Sequence, residues 1–266
     1  MKRFNLKNKM KFLTTIEARF DSTRLPGKVL LPLTPTKTVL DILISRIKNS
    51  ENISKIILAT SKNKNNSKLV DIAKKNKILF YRGSEKNVLE RLYKATKDRK
   101  EKYIIQLTAD NPLIDFRVID YVVNFFKKNL NKYDFVTNKN LFDKKKFFIP
   151  NGMIVSVFKK EKLLDAFIYQ KKTNKKDLAE YPMLYFCREG RRIMKCIDLQ
   201  MPKKWTILPK LRLTLDTYED YFLIYKIYNI LKEKKVFSLI DIINFIKKNI
   251  TLLKINEKIK QKKTKI

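Results

Sequence analysis

Glu17-Ala18-Arg19-Phe20-Asp21-Ser22-Thr23-Arg24-Leu25-Pro26-Gly27-Lys28 follows directly on the apolar stretch Phe12-Leu13-Thr14-Thr15-Ile16. The apolar stretch reads as a buried strand. The twelve residues after it therefore sit at a strand's C-terminal end, where open α/β sheets hold their ligands. Ser22 and Thr23 offer hydroxyl donors, Gly27 lets the backbone come close to an oxyanion, and Arg19, Arg24 and Lys28 supply positive charge. The spacing G-x-x-x-x-G-K-[ST] is absent, so this is not a Walker loop. As chemistry alone the stretch reads equally well as a phosphate cradle or as a polar surface turn, because Asp-Ser-Thr and Pro-Gly are common loop punctuation.

Strand and helix signals alternate through the first half of the chain with short connections, the pattern of a mostly parallel sheet covered by helices. Val39, Leu40, Leu43, Ile44 and Ile47 recur at helical spacing, and Ile53 to Thr60 reads as a buried strand. Leu69, Ile72 and Ala73 mark a second helix, followed by a strand over Ile78 to Tyr81 and a helix from Asn87 to about Arg99. Tyr103 to Thr108 is a fourth strand, and Asp115 is placed to cap a helix over Val118 to Phe126. The second half is less regular. Tyr133 to Thr137 and Met153 to Phe158 read as strands around a basic loop, Leu163 to Tyr169 and Tyr181 to Phe186 as helices, and Leu211 to Leu215 as a strand. A helix follows through Tyr221, Leu223, Ile224 and Ile227, and the last lies near Leu239 to Ile246.

With 266 residues and 44% hydrophobic content the chain suffices for one sizeable core. Its formal charge of +35 comes from a lysine excess spread along the whole sequence rather than gathered on one stripe. Such a field favours polyanionic partners without naming one. No histidine is present, which excludes histidine acid/base relays, and two cysteines, Cys187 and Cys196, do not make the usual zinc spacings. The basic start, Met1 to Lys11, is followed by too short an apolar run for a signal peptide, and no stretch is long enough to span a bilayer, so the expected compartment is the cytoplasm.

Two carboxylates end expected strands: Asp110 in T-A-D-N-P and Asp216 in L-T-L-D-T. Facing one sheet edge, they can hold a Mg²⁺ ion, which binds through one or two carboxylates plus substrate phosphates. Asp216 reads equally as a helix cap, with Glu219 completing a capping box. A further cluster, Tyr81-Arg82-Gly83-Ser84 before Asn87-Val88-Leu89-Glu90-Arg91, offers a guanidinium, a hydroxyl and a helix N-terminus to a nucleotide, or is a plain strand-to-helix connection. The chain holds only four glycines: Gly27, Gly83 and Gly152 mark backbone conformations other residues tolerate poorly, and Gly190, in Glu189-Gly190-Arg191, reads as a plain turn.

Taken together, A-R-x-x-S-T-R-L-P-G-K-V-L over Ala18 to Leu30, A-T-S at Ala59 to Ser61, and R-G-S-x-x-x-V-L-x-R over Arg82 to Arg91 resemble the cytidylyltransferase family. So do T-x-D-x-P-L-I-D over Thr108 to Asp115 and L-T-x-D-T-x-E-D over Leu213 to Asp220. The likeness is to the spore-coat polysaccharide biosynthesis protein F type, related to the acylneuraminate and 3-deoxy-manno-octulosonate enzymes. It implies an α/β, Rossmann-like nucleotide-diphospho-sugar transferase fold, a mixed, mostly parallel sheet flanked by helices. One nucleotidyltransferase domain is expected over residues 1–250, and the lysine-rich end reads from its composition as a basic, flexible tail over 251–266.

The implied reaction is attack by a sugar or sugar-acid hydroxyl on the α-phosphorus of CTP, in glycan synthesis. By that resemblance the nucleotide contacts are Ala18, Arg19, Ser22, Thr23, Arg24, Lys28, Arg82, Ser84 and Asp110. Arg19, Lys28 and Asp110 carry the catalysis, and Asp110 and Asp216 hold Mg²⁺. The implied partners are CTP and a sugar acceptor, with no specific nucleic acid and no membrane span, and a homodimer is compatible with them. The chain departs from the family at Gly152-Met153-Ile154-Val155-Ser156, where two acidic positions are Ile154 and Ser156, and near Leu178 to Tyr181, where Ala179 stands in place of a histidine. These positions concern the acceptor. Two other readings remain: a nucleotide-sugar-dependent glycosyltransferase or other sugar nucleotidyltransferase of the same fold, and a non-catalytic nucleic-acid-binding protein favoured by the charge.

Overall fold

The computed structural model describes residues 10–139, 141, 149–208 and 210–260. Most of the basic loop expected after Thr137, nearly all of the basic start and the last six residues of the expected tail lie outside them. Nine strands are described: β1 (Phe12–Glu17), β2 (Pro32–Thr34), β3 (Lys37–Thr38), β4 (Ile53–Ser61), β5 (Leu79–Gly83), β6 (Tyr103–Thr108), β7 (Phe135–Thr137), β8 (Ser156–Lys159) and β9 (Cys196–Asp198). The helices are α1 (Val39–Ile47), α2 (Ser67–Lys75), α3 (Val88–Thr96), α4 (Phe116–Lys128), α5 (Lys160–Thr173), α6 (Lys176–Glu180), α7 (Met183–Cys187), α8 (Tyr218–Leu231) and α9 (Leu239–Lys248).

Seven strands form one sheet in the order β5-β4-β1-β6-β8-β7-β9, and β2 and β3 make a separate hairpin. Pairing is parallel except where β8 runs against β6 and β7. The chain thus winds from β1 outward to β4 and β5, then returns to place β6 on the other side of β1. The reversal opens a crevice beyond the C-terminal ends of β1 and β6. Into it run the loop after Glu17 and the loop after Thr108, whose parent residues are paired across the sheet.

Both faces of the central strands are covered, which explains why they are apolar on both sides. Phe12 and Ile16 of β1 join a core with α1, α2, α4, α8 and α9, whereas Leu13 faces a second core built with α3, α5, α6 and α7. The helices start where their side chains satisfy the free N–H groups. Asp115 accepts from Arg117 N at the start of α4, Asn87 from Glu90 N at α3, and Thr38 and Ser238 form capping boxes at α1 and α9.

Two expectations are corrected. Leu211 to Leu215 makes no ladder; its contact of strand type is an isolated bridge between Arg212 and Asn151. The alternation is real, but Leu211, Leu213 and Leu215 bury one face while Arg212, Thr214 and Asp216 bury the other, so the segment runs extended through the interior. Its amides instead reach carbonyls of neighbouring loops, Leu213 N to Asn151 O at 2.7 Å and Leu215 N to Asp110 O at 2.8 Å. Likewise only the end of the strand expected over Met153 to Phe158 is regular, beginning at Ser156.

Gly152 makes the first of these crossings possible. It holds φ at +102°, and an added Cβ would lie 2.5 Å from the carbonyl carbon of Leu213. Gly152→Ala is expected to lower stability by about 2–3 kcal/mol, the combined order of backbone strain and a backbone clash. Urea unfolding of the two proteins checks this, and an unchanged midpoint would contradict the close approach.

Candidate active site

The loop after β1 closes around one carbonyl. Ser22 N and Gly27 N both donate to Phe20 O at 2.8 Å, while Phe20 N donates to Asn66 Oδ1 at 2.8 Å. Gly27 takes φ +70°, and a Cβ there would meet the Phe20 ring at 3.0 Å. A short 3-10 turn starts at Lys28 and directs that side chain into the crevice.

There the Lys28 ammonium has three acceptors: Leu215 O at 2.5 Å, Asp216 Oδ1 at 2.8 Å and Asp110 Oδ2 at 3.2 Å. Arg24 reaches Asp216 Oδ2 at 2.8 Å, and Arg212 Nη2 donates to the same oxygen at 2.6 Å. Thr108 Oγ1 donates to Asp110 Oδ1 at 2.6 Å. Asp110 and Asp216 therefore do converge, and with them Lys28 and Arg24.

Burial alone would push the Asp216 carboxyl up, but Lys28, Arg24 and Arg212 together outweigh it and leave its pKa below the ordinary aspartate value. Asp216 does not cap α8. That role belongs to Thr217, which forms a capping box with Asp220, one register beyond the pair expected from Asp216 and Glu219. The shift leaves both oxygens of Asp216 for the cations.

The remaining expected residues are spread over neighbouring loops. Ala18 is buried, Arg19 and Ser22 are half-buried, and Thr23 is exposed on the outer part of the loop. Arg82 and Ser84 lie at the end of β5, two strands from β1, and their side-chain hydrogen bonds stay beside the ends of β4 and β5. Arg82 donates to the carbonyls of Lys62 and Asn63 at 3.0 and 3.1 Å, and Ser84 Oγ accepts from Asn87 N at 3.0 Å.

Several residues join the site unforeseen. Glu17, at the tip of β1, accepts from Gln106 Nε2. Burial is the main cause that raises the Glu17 carboxyl pKa, against the lowering effect of Gln106 and Arg91. Gln106 faces Ser156 across β6 and β8, and its Oε1 is buried with no hydrogen-bond partner among the described residues. Arg212 and Asp220, four residues to either side of Asp216, are buried and paired, Nε to Oδ1 at 2.8 Å. Their spacing of eight in the sequence was the available signal, and it is too common to read as a pair. Both cysteine thiols are pushed up to about 12, chiefly by burial, which makes them poor nucleophiles.

A family profile described as cytidylyltransferase matches residues 13–263. The chain belongs to the cytidylyltransferase family. It is 33% identical to an uncharacterised protein of Methanocaldococcus jannaschii over 258 residues, 95% of this chain and 97% of that one. Against the spore coat polysaccharide biosynthesis protein SpsF of Bacillus subtilis the identity is 31% over 241 residues, 89% and 94% of the two chains. Among solved structures, a cytidylyltransferase from Leptospira borgpetersenii superposes with a TM-score of 0.76 at 28% identity, covering 97% of this chain and 99% of that one. This cytidylyltransferase is thus a nucleotidyltransferase of mixed, mostly parallel sheet architecture.

Removing the Lys28 ammonium leaves two carboxylates facing each other. Lys28→Met is expected to cost about 2 kcal/mol at pH 7, low for a buried pair because Arg24 and Arg212 remain. A depressed carboxylate pKa stabilises the fold above the unfolded value and stops doing so as pH falls through the folded value. The gap between wild type and variant should therefore narrow below about pH 4, the ordinary aspartate value. Denaturant unfolding at pH 7 and pH 3 measures it, and an equal gap at both would exclude the charge explanation.

Proposed function

We propose that this cytidylyltransferase transfers CMP from CTP to a hydroxyl of a sugar or sugar acid, in polysaccharide or related glycan synthesis. The observation that carries the reading is the Lys28 ammonium held between Asp110 and Asp216 at the switch point of the sheet. The acceptor oxygen attacks the α-phosphorus, the bond from that phosphorus to the bridging oxygen of the β-phosphate breaks, pyrophosphate leaves and the hydroxyl proton passes to solvent. Such a transfer asks the protein for alignment and charge neutralisation. Arg19, Arg24 and Lys28 are the cations at hand for the phosphates, with Ala18, Ser22 and Thr23 along the same loop and Arg82 and Ser84 at the neighbouring strand end.

Mg²⁺ fits the donors present. Two carboxylates and the Leu215 carbonyl already surround one cation, the Lys28 ammonium, and hard oxygen donors suit this metal. No group of three or more acidic, cysteine or histidine residues able to hold a metal occurs among the described residues, so Asp110 and Asp216 would hold the ion together with substrate phosphates. When bound, it would neutralise phosphate charge and polarise the α-phosphate.

The acceptor reading draws on Gln106, which stands on β6 shortly before Asp110. Gln106 Oε1 is a buried acceptor with no hydrogen-bond partner among the described residues, and Ser156, which donates to Thr137 Oγ1, lies opposite it. Ile154, shortly before β8, is half-buried and brings no carboxylate, and Ala179, on α6, brings no imidazole. A cytoplasmic setting agrees with the two free cysteines, and no helix among the described residues is long and apolar enough to cross a membrane.

Pyrophosphate release from CTP with Mg²⁺ and a panel of sugars and sugar acids tests the proposal. Asp110→Ala should lower turnover at least a hundredfold, on the scale of losing a principal electrostatic group; full activity would remove Asp110 from the site. Gln106→Ala should raise KM for the acceptor about tenfold while KM for CTP stays within about twofold, the cost of one lost polar contact. An effect on CTP alone would place Gln106 elsewhere.

A further inference from the structure

Resting on the reading above, we infer that the C-terminal segment Ile250–Asn256 belongs to the catalytic apparatus, with Asn256 as a positioning residue that holds the Asp216 carboxylate through Arg212 and Asp220. This segment falls where the sequence reads as a basic tail. In the structure Ile250–Ile255 forms 3-10 turns, with Leu252, Leu253 and Ile255 packed against the main core. That packing drives the Asn256 side chain inward until it is 3% exposed.

Its amide Nδ2 donates twice, to Asp220 Oδ1 at 2.8 Å and to Arg212 O at 3.1 Å. Asp220 is fully buried and anchors the backbone of the metal-ligand candidate, its Oδ2 accepting from Asp216 N at 2.9 Å and Thr217 N at 3.2 Å. Arg212 bridges the two carboxylates, with Nε and Nη2 on Asp220 and Nη2 also on Asp216 Oδ2. Asp216 is therefore held at its amide by Asp220 and at its outer oxygen by Arg212, and one asparagine clamps both partners.

With Oδ2 so engaged, Oδ1 is the oxygen turned toward Lys28 and Asp110. An orienting partner of this kind typically changes metal affinity or activity 10- to 100-fold when lost. Asn256 touches neither Lys28 nor Asp110 by any hydrogen bond described, so its influence must pass through the pair it clamps.

The test uses Asn256→Ala in the full chain. Mn²⁺ affinity at saturating CTP, read from the free-Mn²⁺ electron paramagnetic resonance signal, should weaken about tenfold. kcat should fall by a similar factor with KM for CTP within about twofold, and Asn256→Gln, which keeps the NH₂ donor, should recover part of both. Wild-type Mn²⁺ affinity and kcat in Asn256→Ala would overturn the inference.

Should the wild-type protein bind no Mn²⁺ with CTP, the catalytic reading fails instead. A crystal structure of Asn256→Ala then decides the clamp by itself: parting of Arg212 from Asp216 Oδ2 sustains it, and an unmoved carboxylate overturns it. If Asn256→Ala does not fold, Arg212→Lys carries the same expectations, since a single ammonium cannot span Asp216 and Asp220 as the planar guanidinium does.

Discussion

The ammonium of Lys28 meets carboxylates that lie 82 and 188 residues away along the chain, in a crevice where both side chains of its closest pair are largely withdrawn from water. A buried carboxylate without partners would be protonated or would open the fold. Asp216 escapes this because Lys28 and Arg24 from the loop after β1, and Arg212 from its own segment, divide its two oxygens among them. The crevice thus exists as a charged site only while the loop after β1, the end of β6 and the segment before α8 stay in register.

That register is set by the sheet. Glu17 pairs with Thr108, so the loops that follow start side by side. Leu215 N on Asp110 O then ties the third segment to the second. Gly152 permits the same segment to pass within contact of the loop before β8. An arrangement held by backbone contacts on three sides suits a transfer that depends on alignment and electrostatics more than on proton relays, and it is consistent with a family member that has no histidine.

Lys28 and Asp110 were legible because each follows an apolar strand signal and strand ends in a parallel sheet share an edge, and Asp216 because an alternating stretch ends at it, although that stretch runs extended without a ladder. Arg212, Asp220 and Asn256 were not. Arg212 alternates with leucines like any strand residue, Asp220 sits where a helix takes an acidic residue at its start, and Asn256 lies among lysines that read as solvated. Only burial of all three together turns them into a network. The strand expected at Leu211 to Leu215 failed for a related reason. Alternation reports that two faces differ, but ladder formation needs a neighbouring strand, and the neighbours here are irregular loops.

Local chemistry was enough to write down the strand-and-helix order, the cationic loop around Gly27 and the carboxylates at two strand ends, since these depend on periodicity, turn residues and side-chain type over a few neighbouring positions. Tertiary structure alone decided that Thr217 rather than Asp216 caps α8, that Arg82 spends its guanidinium on the carbonyls of Lys62 and Asn63, and that Asn256 clasps Arg212. Asp216 is claimed by Lys28 and Arg24 from a distant loop and Asn256 reaches Arg212 across 44 residues, and burial settles these competitions by removing water as the alternative, whereas the exposed Arg82 contacts follow from the pairing of β4 with β5.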